Sequence, residues 1–211
     1  MRIVLLNGSA KTGVNNTSYF FEKLEKFIGT GHTVISVRAG APVLAREDSE
    51  KIPGCDALVI GFSLFVNGIP SHLLTVLEEL EGVLKARPGK TVVYGMSNNG
   101  FYEGCHNKIA LDMLQHWCGR SGLVWGGAAG IGSGEMYGVL RALPLGIGPK
   151  GNLRKVLKKM AGLITRGGTM ENYFFEPNCP RFFYLLMANL NSIKRGRKNN
   201  LQKKDMLVKP A

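Results

Sequence analysis

The chain has 211 residues, which is enough for one compact domain with a sizeable core and a shorter extension. Hydrophobic residues make up 45% of it and charged residues 20%, proportions that exclude a disordered chain. No apolar run approaches the roughly 20 residues that span a bilayer, and the apolar start is too short for a secretory signal. We therefore expect a cytoplasmic protein whose four widely spaced cysteines are reduced thiols.

The net charge of +12 is confined to the C-terminal third of the chain. Residues 1–140 contain 12 Lys/Arg and 12 Asp/Glu, whereas residues 141–211 contain 15 Lys/Arg and 3 Asp/Glu. The body of the protein is thus electrically neutral, and the basic ending requires an explanation of its own.

Apolar runs alternate with amphipathic segments from the N-terminus to about residue 166. The runs predict buried strands at 3–6, 33–37, 57–61, 90–96 and 123–131. Apolar residues spaced by three and four predict four helices with inward stripes at Phe20, Phe21, Leu24, Phe27 and Ile28; Leu73, Val76, Leu77, Leu80 and Leu84; Ile109, Ala110, Met113, Leu114 and Trp117; and Leu153, Val156, Leu157, Met160 and Ile164. A brief helix is expected within 44–52. This alternation predicts an α/β protein with a doubly wound, five-stranded parallel sheet in the order 2-1-3-4-5.

Three unusual loops follow strands one, three and four, at 9–18, 62–70 and 97–104, so all three should meet at the carboxyl edge of the sheet. The first loop contains hydroxyls, amides, glycine and Lys11 but no acidic residue, and a helix follows it. A helix N-terminus offers unpaired N–H groups and a positive dipole, which favours a bound phosphate. In a second interpretation, Asn16, Thr17 and Ser18 only cap the helix.

The order and spacing of three motifs resemble the flavodoxin-like NAD(P)H-dependent FMN reductase family over residues 1–166. The motifs read Asn-Gly-Ser-Ala-Lys at 7–11 with Asn-Thr at 16–17, Gly-Phe-Ser-Leu-Phe-Val at 61–66, and Ser-Asn-Asn-Gly-Phe at 97–101. Ala10 and Ser63 stand where the family has proline. The resemblance implies three groups of FMN-binding residues: Ser9, Lys11, Asn16, Thr17 and Ser18 at the phosphate; Ser63, Leu64, Phe65, Val66 and Asn67 beside the isoalloxazine ring; and Ser97, Asn98, Asn99, Gly100 and Phe101 at its pyrimidine edge.

The same resemblance implies an oxidoreductase that passes electrons from NADH or NADPH through FMN to a small acceptor. Candidate acceptors are a quinone, a nitro compound and free flavin. No catalytic side chain and no metal site are predicted, and a homodimer is expected. Two alternatives stay open: an electron carrier of the flavodoxin type without reductase activity, and a flavodoxin-fold protein associated with a membrane or nucleic acid.

The division predicted from the sequence is an FMN-binding domain at 1–168 and an extension at 169–211. The extension should contain an aromatic-rich helix near 180–193, followed by a basic tail. Three interpretations compete. The helix packs on this domain or on a partner subunit, it makes a weak contact with an anionic membrane surface, or the tail binds nucleic acid without specificity. No specific nucleic acid is expected, because no motif for one accompanies the charge.

Overall fold

The computed structural model describes residues 1–85, 91–202 and 204–205. A parallel sheet forms its centre, with the strands in the order β2-β1-β3-β4-β5-β6. The strands are β1 (Arg2–Asn7), β2 (Thr33–Arg38), β3 (Ala57–Ser63), β4 (Val92–Asn98), β5 (Val124–Ile131) and β6 (Tyr173–Phe175). The flavodoxin-like parallel order 2-1-3-4-5 is confirmed. The predicted start of the fourth strand, Lys90, lies outside the described residues.

The prediction of five strands is wrong, because β6 extends the sheet beyond β5. Ala129 pairs with Tyr173 and Ile131 with Phe175, in parallel register. A segment of three residues is too short to show a periodic pattern, so its pairing depends on the strand already present beside it. This strand lies in the stretch that the sequence analysis assigned to the extension.

Helices cover both faces of the sheet. They are α1 (Asn16–Ile28), α2 (Arg46–Ser49), α3 (Ser71–Lys85), α4 (Lys108–Arg120), α5 (Gly134–Val139), α6 (Gly151–Ile164) and α7 (Arg181–Lys198), with short 3-10 turns at Gly104–Asn107 and Gly148–Lys150. Alternate side chains of β1 enter different cores: Ile3 and Leu5 pack with α1 and α6, and Val4 and Leu6 pack with α3 and α4. The brief helix predicted within 44–52 is the single turn α2.

The predicted stripes of α3 and α6 are buried along their full length. The stripe predicted for α4 is rotated from the observed one. Ile109 and Met113 are 63% and 39% exposed, and Leu111 and Cys118 are fully buried in their place. Both sets of residues have helical spacing, and the contact of α4 with β4 and β5 determines which set is buried.

Helix α7 lies outside the two cores, and Gly196 is its buried residue. In the part of the chain that the structure describes, no helix combines the length and hydropathy that a membrane span requires.

Candidate functional site

The three loops meet at the carboxyl edge of the sheet around a cavity of about 310 Å³. Its walls are Ser9, Ala10, Lys11, Asn15, Asn16, Ser63, Leu64, Phe65, Pro70, Asn98, Asn99, Gly100 and Glu135. Nine of the fifteen residues predicted from the sequence are among them. The other six, which lie near the cavity without lining it, are Thr17, Ser18, Val66, Asn67, Ser97 and Phe101. The volume is within the usual range for a small-molecule site.

The first loop is closed by Asn15, which caps α1. Its Oδ1 accepts hydrogen bonds from the Ser18 backbone N at 2.8 Å and from the Ser18 Oγ at 3.1 Å, and its Nδ2 donates to Gly13 O at 3.2 Å. Asn7 Nδ2 also donates to the Ser18 hydroxyl, at 2.8 Å. The Ser18 side chain is therefore part of the hydrogen-bond network that caps α1. The capping residue is Asn15, which comes just before Asn16, Thr17 and Ser18, the three residues predicted as possible caps.

The backbone N–H groups of this loop are available to a ligand. Among the described residues, those of residues 10–17 make no hydrogen bond to the protein. Asn16 and Thr17 begin α1, so their N–H groups also lie at the positive end of its dipole. Lys11 is exposed beside them. Unpaired N–H groups, a helix N-terminus and a lysine are the groups with which proteins bind anions.

Three cationic or imidazole side chains hold the carbonyl groups of the same segment. Arg38 Nη2 donates to Lys11 O at 2.9 Å, and Arg141 Nη2 donates to Asn15 O at 3.0 Å. His72 Nε2 lies 3.1 Å from Gly8 O. These contacts occupy the carbonyl O atoms of Gly8, Lys11 and Asn15, whereas the N–H groups of residues 10–17 have no described protein acceptor. The sequence offered no signal for Arg38 or Arg141, because they lie in other elements.

The second loop is a tight turn across 65–68. Phe65 N donates to Gly68 O at 3.1 Å, and Gly68 N donates to Phe65 O at 3.0 Å. Val66 and Asn67 form the tip, with left-handed φ values of 48° and 59°. This conformation is uncommon for a β-branched residue such as Val66. Phe65 is 69% exposed and lies at the rim of the cavity.

The amide side chains of Asn98 and Asn99, at the end of β4, already make hydrogen bonds to other groups of the protein. Asn98 Nδ2 donates to Phe62 O at 3.0 Å, and Asn98 Oδ1 accepts from Ser63 Oγ at 3.1 Å. Asn99 Oδ1 accepts from Phe101 N at 2.8 Å. These bonds shape the loop and leave the backbone N–H of Gly100, which has no acceptor among the described residues, to serve a ligand.

Two predicted residues of this region do not line the cavity. Ser97 Oγ donates to Asn107 Oδ1 at 2.9 Å inside the core. Phe101 is 54% exposed, and its ring centroid lies 4.6 Å from that of His106. Thr17 is buried, with its hydroxyl 3.4 Å from Asn98 Nδ2. The side chains of Ser97 and Thr17 are therefore buried beneath the loops that line the cavity.

Helix α5 adds one acidic residue that the sequence analysis did not consider. Glu135 lines the cavity, and its Oε2 lies 3.9 Å from Arg195 Nη2. The helix is fixed beside the third loop because Gly134 N donates to Asn99 O at 2.7 Å. Ser133, just before it, has a left-handed φ of 55°. The cavity therefore has a cationic loop at one wall and a carboxylate at another.

Metal-binding side chains are dispersed. Across residues 1–85, 91–202 and 204–205, no three His, Cys, Asp or Glu side chains lie close enough to share an ion. Burial raises the pKa of the Cys55 thiol to about 11 and that of Cys118 to about 12, so both stay protonated at neutral pH. These thiols are structural groups of the core.

No protein-family model matches this sequence, and no curated protein matches it either. Solved structures do match. A WrbA-like flavodoxin from Agrobacterium tumefaciens has a TM-score of 0.55 and 15% identity, covering 79% of this chain and 96% of its own.

Two further structures are similar. A flavodoxin from Streptococcus pneumonia TIGR4 gives a TM-score of 0.56 at 10% identity, over 79% of this chain and 99% of its own. An NADPH-quinone reductase from P. pentosaceus gives a TM-score of 0.54 at 11% identity, over 76% of this chain and 98% of its own. At such low identities the likeness concerns the fold, and the fold of this chain is flavodoxin-like.

Proposed function

We propose that this protein binds FMN and is an oxidoreductase that passes electrons from NADH or NADPH to a small acceptor, such as a quinone, a nitro compound or free flavin. The observation that carries the proposal is the absence of a described protein acceptor for the N–H groups of residues 10–17, together with the polar cavity that Ala10, Lys11, Asn15 and Asn16 line at the carboxyl edge of the sheet. In doubly wound sheets, ligands bind at this edge, where the strand order reverses.

The chemistry of the first loop fits a phosphate monoester. A phosphate accepts several hydrogen bonds and carries negative charge, and the loop offers backbone N–H groups, a helix N-terminus and Lys11. Its segment from Asn7 to Ser18 contains no acidic residue. The residues that would hold the phosphate are Ser9, Lys11, Asn16 and the backbone of residues 10–17.

The remaining walls fit a flat aromatic ring with one polar edge. Leu64, Phe65 and Pro70 offer apolar surface on one side, and Gly100 N–H offers a donor. Bound FMN would supply hydride acceptance at its N5 atom and onward electron transfer. The donor at Gly100 would stabilise negative charge at the edge of the ring. The described walls contribute binding, orientation and electrostatics, and the proposal needs no proton-transferring side chain.

A pair of ligands tests the phosphate part of the proposal. FMN and riboflavin have the same ring, and riboflavin lacks the phosphate. We expect the purified chain to quench the fluorescence of both and to bind FMN more tightly. Lys11→Met should weaken FMN binding at least about tenfold and leave riboflavin affinity unchanged, because a charge-assisted contact contributes roughly 1.5 to 3 kcal/mol. Arg46→Gln, an exposed cation on α2, is the matched control.

Anaerobic addition of NADPH or NADH to the FMN-loaded protein tests the oxidoreductase part. Loss of the flavin absorbance band, and its return when a quinone is added, would support the proposal. A protein that binds FMN but is reduced by neither nucleotide would be an electron carrier of the flavodoxin type, which is the alternative function. A protein that binds neither FMN nor riboflavin would refute both roles.

A further inference from the structure

Helix α7 exposes an unusual amount of apolar surface. Phe182 is 70% exposed, Leu185 49%, Leu186 53% and Leu190 53%. Contiguous apolar surface of this kind on a soluble domain marks an interaction site more often than a lone exposed side chain does. Because a helix turns 100° per residue, Phe182, Leu186 and Ile193 lie along one stripe.

Polar contacts with the domain fix the orientation of this stripe. The Tyr184 hydroxyl donates a hydrogen bond to Gly100 O, and Arg181 Nε lies 3.1 Å from Glu103 Oε1. Tyr184, Met187 and Lys194 face α5 across a groove of about 410 Å³. The stripe of Phe182 and Leu186 is on the side of the helix that faces away from α5.

The charge of this segment has one sign. Residues 181–204 contain seven Lys and Arg and no acidic residue. Within α7, Arg181 stands at the start, and Lys194, Arg195, Arg197 and Lys198 stand at the end. An apolar face of Phe and Leu bordered by Lys and Arg is the pattern of a helix that lies in the interface of an anionic membrane.

We propose that α7 docks this protein on anionic phospholipid bilayers, with Phe182, Leu185 and Leu186 entering the interface and Arg197 and Lys198 contacting the headgroups. Charge selects this occupant over a second copy of the chain, because two α7 helices packed together would bring five basic residues against five. Nucleic acid would match the charge and leave the apolar stripe in water. An anionic bilayer would bury the apolar stripe and also contact the basic residues.

Vesicle flotation of the full chain tests the proposal. Phosphatidylcholine vesicles are compared with vesicles that also contain phosphatidylglycerol, at low and high salt. We expect binding to the anionic vesicles alone, weakened by salt because screening shortens the reach of surface charges. Arg197→Gln with Lys198→Gln should reduce the partition coefficient about thirtyfold, since each basic residue near such a surface contributes roughly 1 kcal/mol.

The apolar stripe requires its own variant. Leu186→Glu should reduce partition at least about tenfold, because it removes apolar area and adds a repelled charge. Ile109→Glu, at an exposed apolar site on α4, is the matched control, and Arg46→Gln with Lys26→Gln is the control for lost charge. Both controls should bind like the original chain. Circular dichroism checks the fold of every variant, and the salt and lipid comparisons need no variant at all.

Several results would overturn the proposal. Equal binding to neutral and anionic vesicles would refute the role of charge, and binding unaffected by Leu186→Glu would refute the role of the stripe. A dimer in solution that Leu186→Glu dissociates, without vesicle binding, would assign the face to a second copy. Salt-sensitive binding to a DNA duplex, again without vesicle binding, would assign the charge to nucleic acid. FMN affinity is measured separately, so a failure here leaves the proposed function untouched.

Discussion

Arg141 joins the segment after α5 to the start of α1, because its Nη2 donates a 3.0 Å hydrogen bond to the carbonyl O of Asn15. The two residues are 126 positions apart in the chain. The guanidinium also lies 5.3 Å from the centroid of the Tyr19 ring on the first turn of α1. A positive charge is thus held beside the N–H groups that the proposed phosphate would use.

This relationship predicts that Arg141→Gln weakens FMN binding. The variant loses one charged hydrogen bond to the loop and one positive charge near it, so we expect affinity to fall about tenfold in a fluorescence titration. Riboflavin affinity should change much less, because riboflavin carries no phosphate. Arg46→Gln serves as the control. Unchanged FMN affinity would show that Arg141 has no part in the anion site.

Asn15→Ala should lower the stability of the protein by about 1 kcal/mol, because the side chain caps α1 and ties together residues 13 and 18. Urea denaturation measures the change. Asn15→Ser, which keeps a capping oxygen, should restore most of the loss. Equal losses in the alanine and serine variants would mean that the cap hydrogen bond contributes nothing.

Gly104→Ala should destabilise the docking of β6. A Cβ atom at Gly104 would lie 2.6 Å from the backbone N and O of Phe175 and 2.7 Å from Gly130 O, and backbone atoms cannot rotate away. We expect a loss of about 2 to 3 kcal/mol in urea denaturation. Gly82→Ala is the matched control on α3, where a Cβ meets nothing within 4 Å. That change should stabilise the protein by about 0.5 to 1 kcal/mol, since alanine favours helix.

Stability should fall at alkaline pH, in part because of Cys55. Burial raises its pKa from 9.0 to about 11 in the folded protein, so the folded state holds this proton more tightly than the unfolded state does. Its contribution is therefore fully present below pH 9 and is lost as the pH rises through about 11.

Cys55→Ala removes this dependence. Between about pH 8 and 11, we expect the variant to lose about 2 kcal/mol less unfolding free energy than the original chain does. The measurement is urea denaturation across that range. Cys105→Ala, at an exposed thiol, should keep the original pH dependence. A Cys55→Ala variant with the same pH dependence as the original chain would contradict the assignment.

Local sequence patterns were sufficient to predict most of the sheet and three of the helices that cover it. The runs at 3–6 and 57–61 are apolar without interruption, which suits strands covered on both faces and few other structures. The stripe from Leu73 to Leu84 has the helical period over its whole length, and it is buried as expected. Parallel topology then placed the three unusual loops at one edge, because all the strands point the same way.

Contacts between distant segments determined the features that local patterns did not predict. Ile109 and Leu111 are equally compatible with a helical stripe, and only the fit against β4 and β5 selected Leu111 for the core. The strand β6 has three residues and no pattern of its own, so it exists because β5 offers a free edge. The amides of Asn98 and Asn99 look like ligand groups in the sequence, and tertiary hydrogen bonds have already engaged them.

The sequence by itself determined the order of the elements and the position of the polar loop at residues 9–18, because these follow from the spacing of apolar residues and from turn chemistry. Tertiary structure alone decided which groups face the cavity. Glu135 lines the cavity from α5, and Arg38 and Arg141 bond from other elements to carbonyl groups of the first loop. Their separation along the chain carries no local signal, and only the packing of the helices on the sheet brings these charges together.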